Sequence, residues 1–141
     1  MGLLDRLRRR PPEPVRYDPA DPALVVCIEA FDPARADSEV LAEAAARGVD
    51  LAAPLLVRHH VVALPDADAA EQARARLAQD GWAVVPDEAH ARPLALLACR
   101  TEVLTAMSAA RERSTMAGLA QRLGGDVGGW DALRPAGEDR R

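Results

Sequence analysis

The chain has no lysine and no asparagine, two cysteines, and four aromatic residues in 141 positions: Tyr17, Phe31, Trp82 and Trp130. Each shortage removes something. Cys27 and Cys99 stand far apart and in no CxxC pair, so a core must form without disulfides or bound metal. No apolar run approaches the ~20 residues of a membrane span. The apolar residues Leu3, Leu4 and Leu7 come before Arg8, Arg9 and Arg10 or among them, the wrong order for a secretory signal, so the chain reads as cytoplasmic with reduced thiols. At 49% hydrophobic residues and a formal net charge of −4, it does not read as a disordered chain.

What is present is arginine, alanine and proline. All 18 basic residues are Arg, and they are unevenly placed: residues 1–16 carry +3 and residues 17–141 carry −7. The body is therefore not a general nucleic-acid binder. Any affinity for RNA or anionic lipid belongs to residues 1–10, where the three leucines beside the Arg cluster suit a very short interfacial helix; a solvated terminus is the plainer reading. Pro11, Pro12, Pro14, Pro19 and Pro22 make residues 8–23 an extended linker.

Beyond the linker the apolar spacing alternates between strand and helix. Residues 24–31 (LVVCIEAF) read as a short strand or a buried extended arm. Asp37 or Ser38 caps a helix with Val40, Leu41, Ala44 and Ala45 on one face, stopped at Gly48. Residues 55–64 (LLVRHHVVAL) form the clearest strand, ended by Pro65. Asp66 caps a helix with Ala69, Ala70, Ala73 and Leu77 buried, closed by Asp80-Gly81. Residues 82–85 and 94–100 form a hairpin around a polar turn over 87–93. Thr101 caps a long helix reaching about Leu123, with Val103, Leu104, Met107, Ala110, Met116, Leu119, Ala120 and Leu123 apolar. Gly124-Gly125 ends it, and Gly128-Gly129-Trp130 leads into a last short extended piece.

The order is helix, β-α-β, β-α-β. It predicts an α+β chain with the ferredoxin-like split βαβ sandwich and an additional N-terminal helix. Helices cover one sheet face and leave the other open. Side chains alternate along a strand, so Leu55, Val57, His59, Val61 and Ala63 are expected against the helices, and Leu56, Arg58, His60, Val62 and Leu64 on the open face. The expected division is a basic, Pro-rich arm over 1–32 with a short strand at 24–31, a domain over 33–133, and a disordered tail over 134–141.

No catalytic, metal or cofactor site emerges from the residues. His59 and His60 point to opposite faces and cannot easily chelate one ion, even with His90. Cys99 lies in an apolar run, where a buried inert thiol is the norm. Asp66, Asp68 and Glu71 suit a helix N-terminus and lack the ligand pattern of a calcium loop. The paired glycines lack the strand, Lys and helix of a phosphate loop. Arg111, Arg113 and Arg122 read as a solvated face of the long helix. Trp130, after a double Gly, is either a core plug or a binding anchor.

Three stretches carry a family resemblance. DSEVLAEAAARGVDLAAP is similar to the opening of the regulator of ribonuclease E activity type B (RraB) family. VRHHVVALPDADAAEQARARLAQDGWAV has that family's strand ending in Pro-Asp, Ala-rich helix and Gly-aromatic-x-Val. LLACRTEVLTAMSAARERSTMAGLAQRLGGDVGGW resembles its closing strand, long helix and Gly-Gly-x-x-x-Gly-Trp segment. Residues 1–32 have no counterpart, and Val127 stands where the family has an aromatic. The resemblance implies a ferredoxin-like fold and binding rather than chemistry: family members attach to ribonuclease E and reduce its cleavage of RNA. It implies a protein partner of the ribonuclease E type and no cofactor. Arg58, His60, Arg100 and Trp130 are the residues expected to meet that partner, through the open sheet face or a strand edge. The alternative is a self-associating, dimeric small-ligand sensory or adaptor domain of the same fold.

Overall fold

The computed structural model describes residues 14–88 and 94–137. They form five strands and three helices: β1 (Leu24–Ala30), α1 (Asp37–Ala46), β2 (Leu55–Leu64), α2 (Ala67–Gln79), β3 (Ala83–Pro86), β4 (Leu94–Glu102), α3 (Ala106–Arg122) and β5 (Asp126–Pro135). The strands make one antiparallel sheet in the order β1-β5-β2-β4-β3. This is the expected α+β class. The expectations about residues 1–10 and about His90 lie outside the described residues. None of the described helices is long and apolar enough to cross a membrane.

The helices begin and end for local reasons. Asp66 accepts a hydrogen bond from the Ala69 N–H at 2.8 Å, which caps α2, and Gly81, with φ of +90°, turns the chain out of it. α3 opens with a reciprocal capping box: Ser108 N–H donates to Thr105 Oγ1, and Thr105 N–H donates to Ser108 Oγ, both at 3.0 Å.

Several sequence expectations are corrected. Thr105, not Thr101, caps α3, because Thr101 and Glu102 still pair with β2. Val103 and Met107 are consequently exposed rather than buried, Met107 at 71%. Ala36 precedes α1 without a side-chain cap; Asp37 is inside the first turn and turns inward instead. Ala45 is exposed. Of the two readings of residues 24–31, a strand or a buried extended arm, the strand holds, over 24–30 and within the domain's sheet. The closing piece is a ten-residue strand between β1 and β2, and Arg134 and Pro135 belong to it rather than to a tail.

The helices all lie on one side. Leu55, Val57, Trp130 and Ala132 meet Val40, Leu41 and Ala44 of α1 and Ala109 of α3. Val61, Leu64 and Ala98 meet Ala69, Ala73 and Leu77 of α2 and Met116, Leu119 and Ala120 of α3. The alternation along β2 therefore holds from Leu55 to Val61 and then breaks. The register with β4 shifts between Val61 and Leu64, and Ala63 adopts a φ of +56°. This bulge turns Leu64 to the helix side, where it is 1% exposed.

The other face carries a smaller cluster of Leu24, Leu56, Leu97, Cys99 and Leu133. Tyr17 packs on that cluster, and its backbone N–H donates to Thr101 Oγ1 at 2.8 Å. The linker is thus strapped to the open face at Tyr17.

Candidate functional site

The other half of that face holds a charged group in a row across three strands. The register sets Glu29 of β1 beside Asp131 of β5, and Asp131 beside Arg58 of β2. Arg58 grips Asp131 with both ends of its guanidinium: Nε donates to Oδ1 at 2.9 Å and Nη2 donates to Oδ2. His60, two residues along β2, places Nε2 at 3.3 Å from Asp131 Oδ1 and Nδ1 at 3.5 Å from Asp87 Oδ2. Burial alone would raise the Asp131 carboxyl. The bonds from His60 and Arg58 outweigh it and hold the group below the usual carboxylate range. The same pairing raises the Arg58 guanidinium. Asp131 is therefore an anion, and the bidentate geometry fixes where Arg58 points.

The glycine pair of β5 lets the aromatic side of this site close. Gly129 has a φ of +101°, and a Cβ there would stand 2.3 Å from the Ala30 carbonyl oxygen, so no other residue fits. Phe31 reaches over this gap and sets its ring edge-on to His60, with centroids 5.0 Å apart at 84°. Phe31 stays 44% exposed. The result is a cluster of cation, anion, imidazole and phenyl in which Asp131 is buried, Arg58 and His60 are half-buried and Phe31 is exposed.

Beneath the sheet lies a second polar group of different character. His59 is 2% exposed, and its Nε2 lies 3.0 Å from Glu112 Oε1 on α3. Trp82 packs edge-on to His59 at 5.6 Å. Desolvation lowers the His59 imidazole to about 4, so it is neutral. Burial and the neighbouring Glu112 raise Glu102 to about 8, and burial raises Glu112 as well. Next to them Asp37 Oδ1 accepts from Trp130 Nε1 at 3.0 Å and from Arg113 Nη2.

The four residues expected to meet a partner are split by this layout. Arg58 and His60 share the open-face site. Trp130 lies on the helix side at 0% exposure, the core plug of its two readings. Arg100 lies on that side as well: its guanidinium stacks 3.7 Å from the Trp82 ring centre and donates to the Asp80 carbonyl at 3.0 Å. Cys99 is buried, and desolvation raises its thiol to about 12. Among the described residues no group of three or more His, Cys, Asp and Glu side chains is placed to hold a metal ion.

Asp131, Asp87 and Glu112 escaped the sequence reading. Glu112 had a signal: it is three residues after Ala109 and four before Met116, in the middle of the stripe α3 buries. Asp131 directly follows Trp130, so strand alternation places it on the opposite face from the plug. Asp87 comes from a turn after Pro86, where no periodicity predicts a side chain's direction.

Residues 34–132 match the model of one family, described as Regulator of ribonuclease activity B. No curated protein and no solved structure matches the chain.

Proposed function

The chain belongs to the Regulator of ribonuclease activity B family, and from that membership we propose that it is a non-catalytic regulator that modulates RNA decay by binding a ribonuclease E-type enzyme. The family match over 34–132 carries the reading. The charged site on the sheet supports it. Arg58 and His60, held by Asp131 beside the half-exposed Phe31, form a fixed polar and aromatic anchor of the kind that dominates protein interfaces. In this reading Trp130 and Arg100 hold the scaffold and do not touch the partner.

The reading extends to fold and place. Strands β5-β2-β4-β3 with α2 and α3 form a ferredoxin-like split βαβ core, to which β1 and α1 are additions. The protein acts in the cytoplasm, on an enzyme rather than on RNA, in keeping with the acidic body.

The test is a titration of a ribonuclease E-type enzyme with this protein while cleavage of a defined RNA is followed. Saturable binding and slower cleavage are expected, both weakened by Arg58→Ala. An unchanged rate and no complex at micromolar protein would remove the proposal. A concentration-independent dimer in sedimentation, with no enzyme bound, would favour the self-associating alternative.

A further inference from the structure

The strands of the sheet end unequally at one corner. β3 pairs with β4 only from Ala83 to Pro86, opposite Cys99 to Leu96. β4 runs on through Arg100, Thr101 and Glu102, which pair with β2 on its other side. Gly81, with φ of +90°, turns the chain out of α2 just before β3, so β3 starts short of the end of β4. A cavity of about 310 Å³ lies at this corner, between the end of β4 and the linker. Buried Leu56 and Cys99 give it an apolar floor, and Tyr17 and exposed Arg16 form its linker side. Its volume is at the lower end of the roughly 300–1,000 Å³ that small-molecule sites occupy.

The charge of the lining has one sign. Arg16 and Arg100 belong to it, and none of the described residues that line it is Asp or Glu. The chain leading into Arg16 is basic as well, with +3 over residues 1–16. The body over 17–141 carries −7, so two arginines at one cavity depart from its average. Nearby acids do not cancel them. Glu102, two residues along β4, is kept protonated up to about 8 by burial and by Glu112, and the Asp80 carboxylate is tied to Arg76 at 3.3 Å. Arg100 is held in place before any ligand arrives, by its stack on Trp82 and its bond to the Asp80 carbonyl. Its Nη2 stands 3.8 Å from where a Cβ on Gly81 would be, and Gly81 lines the cavity. The carbonyl takes one of the several N–H donors of the guanidinium. Thr101 Oγ1 accepts from the Tyr17 N–H, which leaves its own proton to donate. The corner therefore offers donors on a fixed frame above an apolar floor, and a group fixed in advance loses little freedom on binding.

We propose that this corner binds a small organic anion, a carboxylate or phosphate monoester on a compact apolar body, with its head between Arg16 and Arg100 and its body on Leu56 and Cys99. Such a ligand bridges the linker and the sheet, and so fastens the linker at Tyr17. The site goes beyond the regulator reading and does not rest on it.

Phenyl phosphate and benzoate are the probes, with benzyl alcohol as the neutral counterpart and inorganic phosphate as a head without a body. The intact protein is titrated near neutral pH by calorimetry, and its amide signals are followed by NMR. At least one of the two organic anions is expected to bind, to move the signals of Tyr17, Gly81 and Thr101, and to slow amide exchange at Tyr17. Binding should weaken as salt rises. Which anion binds tells which head the site takes. Arg16→Gln and Arg100→Gln are each expected to cost about tenfold in affinity, the worth of one charge-assisted hydrogen bond. Arg74→Gln, on the exposed side of α2, removes the same charge and should change nothing. Arg16 is exposed, so its variant decides the matter if Arg100→Gln does not fold. Equal binding of benzyl alcohol or of inorganic phosphate overturns the proposal. So does an affinity that falls as far with Arg74→Gln as with Arg16→Gln. No binding of either organic anion at millimolar concentration overturns it too, as do shifts confined to Arg58 and Asp131.

Discussion

On the helix side of β2, His59 is sealed against Trp82 and Glu112; on the other side His60 lies between Asp131 and Asp87 under the rim of Phe31. The two are adjacent in sequence and chemically identical. The helix side excludes water, so desolvation decides: His59 is held neutral and the acids near it are pushed toward their protonated forms. On the open side specific partners decide: Asp131 stays ionised because Arg58 and His60 bind it. On the helix side His59, Glu102 and Glu112 are pushed toward their neutral forms, while Asp37 is ion-paired with Arg113. The open side keeps its charges and orders them, which is what a recognition surface requires.

That contrast can be broken from either face. The largest effect belongs to the helix side. Trp130→Ala empties the best-buried large side chain and removes the indole N–H that Asp37 accepts from, and it is expected to cost about 3–5 kcal/mol in urea unfolding. A loss below 1 kcal/mol would mean that Trp130 is not the plug described.

Next comes pH. The unfolded chain takes a proton on His59 near 6.5, and the native protein refuses it until about 4. Stability is therefore lost as pH falls through that window, on the order of 3 kcal/mol when complete. Glu102 acts in the opposite direction. The native protein holds its proton up to about 8 while the unfolded chain releases it near 4.5, so stability falls as pH rises across that range. His59→Gln should flatten the acid limb and Glu102→Gln the alkaline one in denaturation curves taken between pH 4 and 9. Asp131, held below its usual 3.8, adds to the acid limb only below that value. An acid limb that survives His59→Gln unchanged would assign it to another group.

The smallest effect on stability, and the largest on binding, is expected from the open face. Asp131→Asn leaves the half-buried Arg58 without its anion and should cost about 1–3 kcal/mol. The double change Arg58→Met with Asp131→Leu should recover most of that stability while leaving partner binding lost. If the double variant binds as well as the natural chain, the charged row is structural and nothing more.

The elements were legible because their signals are local. The ten-residue run of β2, the Asp66 cap and the Ala-rich stripe of α2 each depend on neighbours in sequence. The errors cluster where a distant contact overrides a local preference. Thr101 is a good cap residue, but its backbone pairs with Leu56 and its hydroxyl accepts from Tyr17. Asp37 is a good cap residue too, yet the indole of Trp130 draws it inward. Half of the candidate site was readable, Arg58 and His60, because alternation along one strand assigns faces. The acids that fix them arrive from β5 and from the turn after β3, and no pattern within β2 points to either.

By itself, then, the sequence determined the class of fold, the order of its elements, the acidic body and the family, all of which follow from periodicity, capping and composition. Only the tertiary structure decided that residues 24–30 complete the sheet, that Tyr17 packs on its other face, and that Asp131 and Asp87 meet His60. Those features depend on strand register and on groups far apart in the chain, and the energy that selects them is released only when the strands pair.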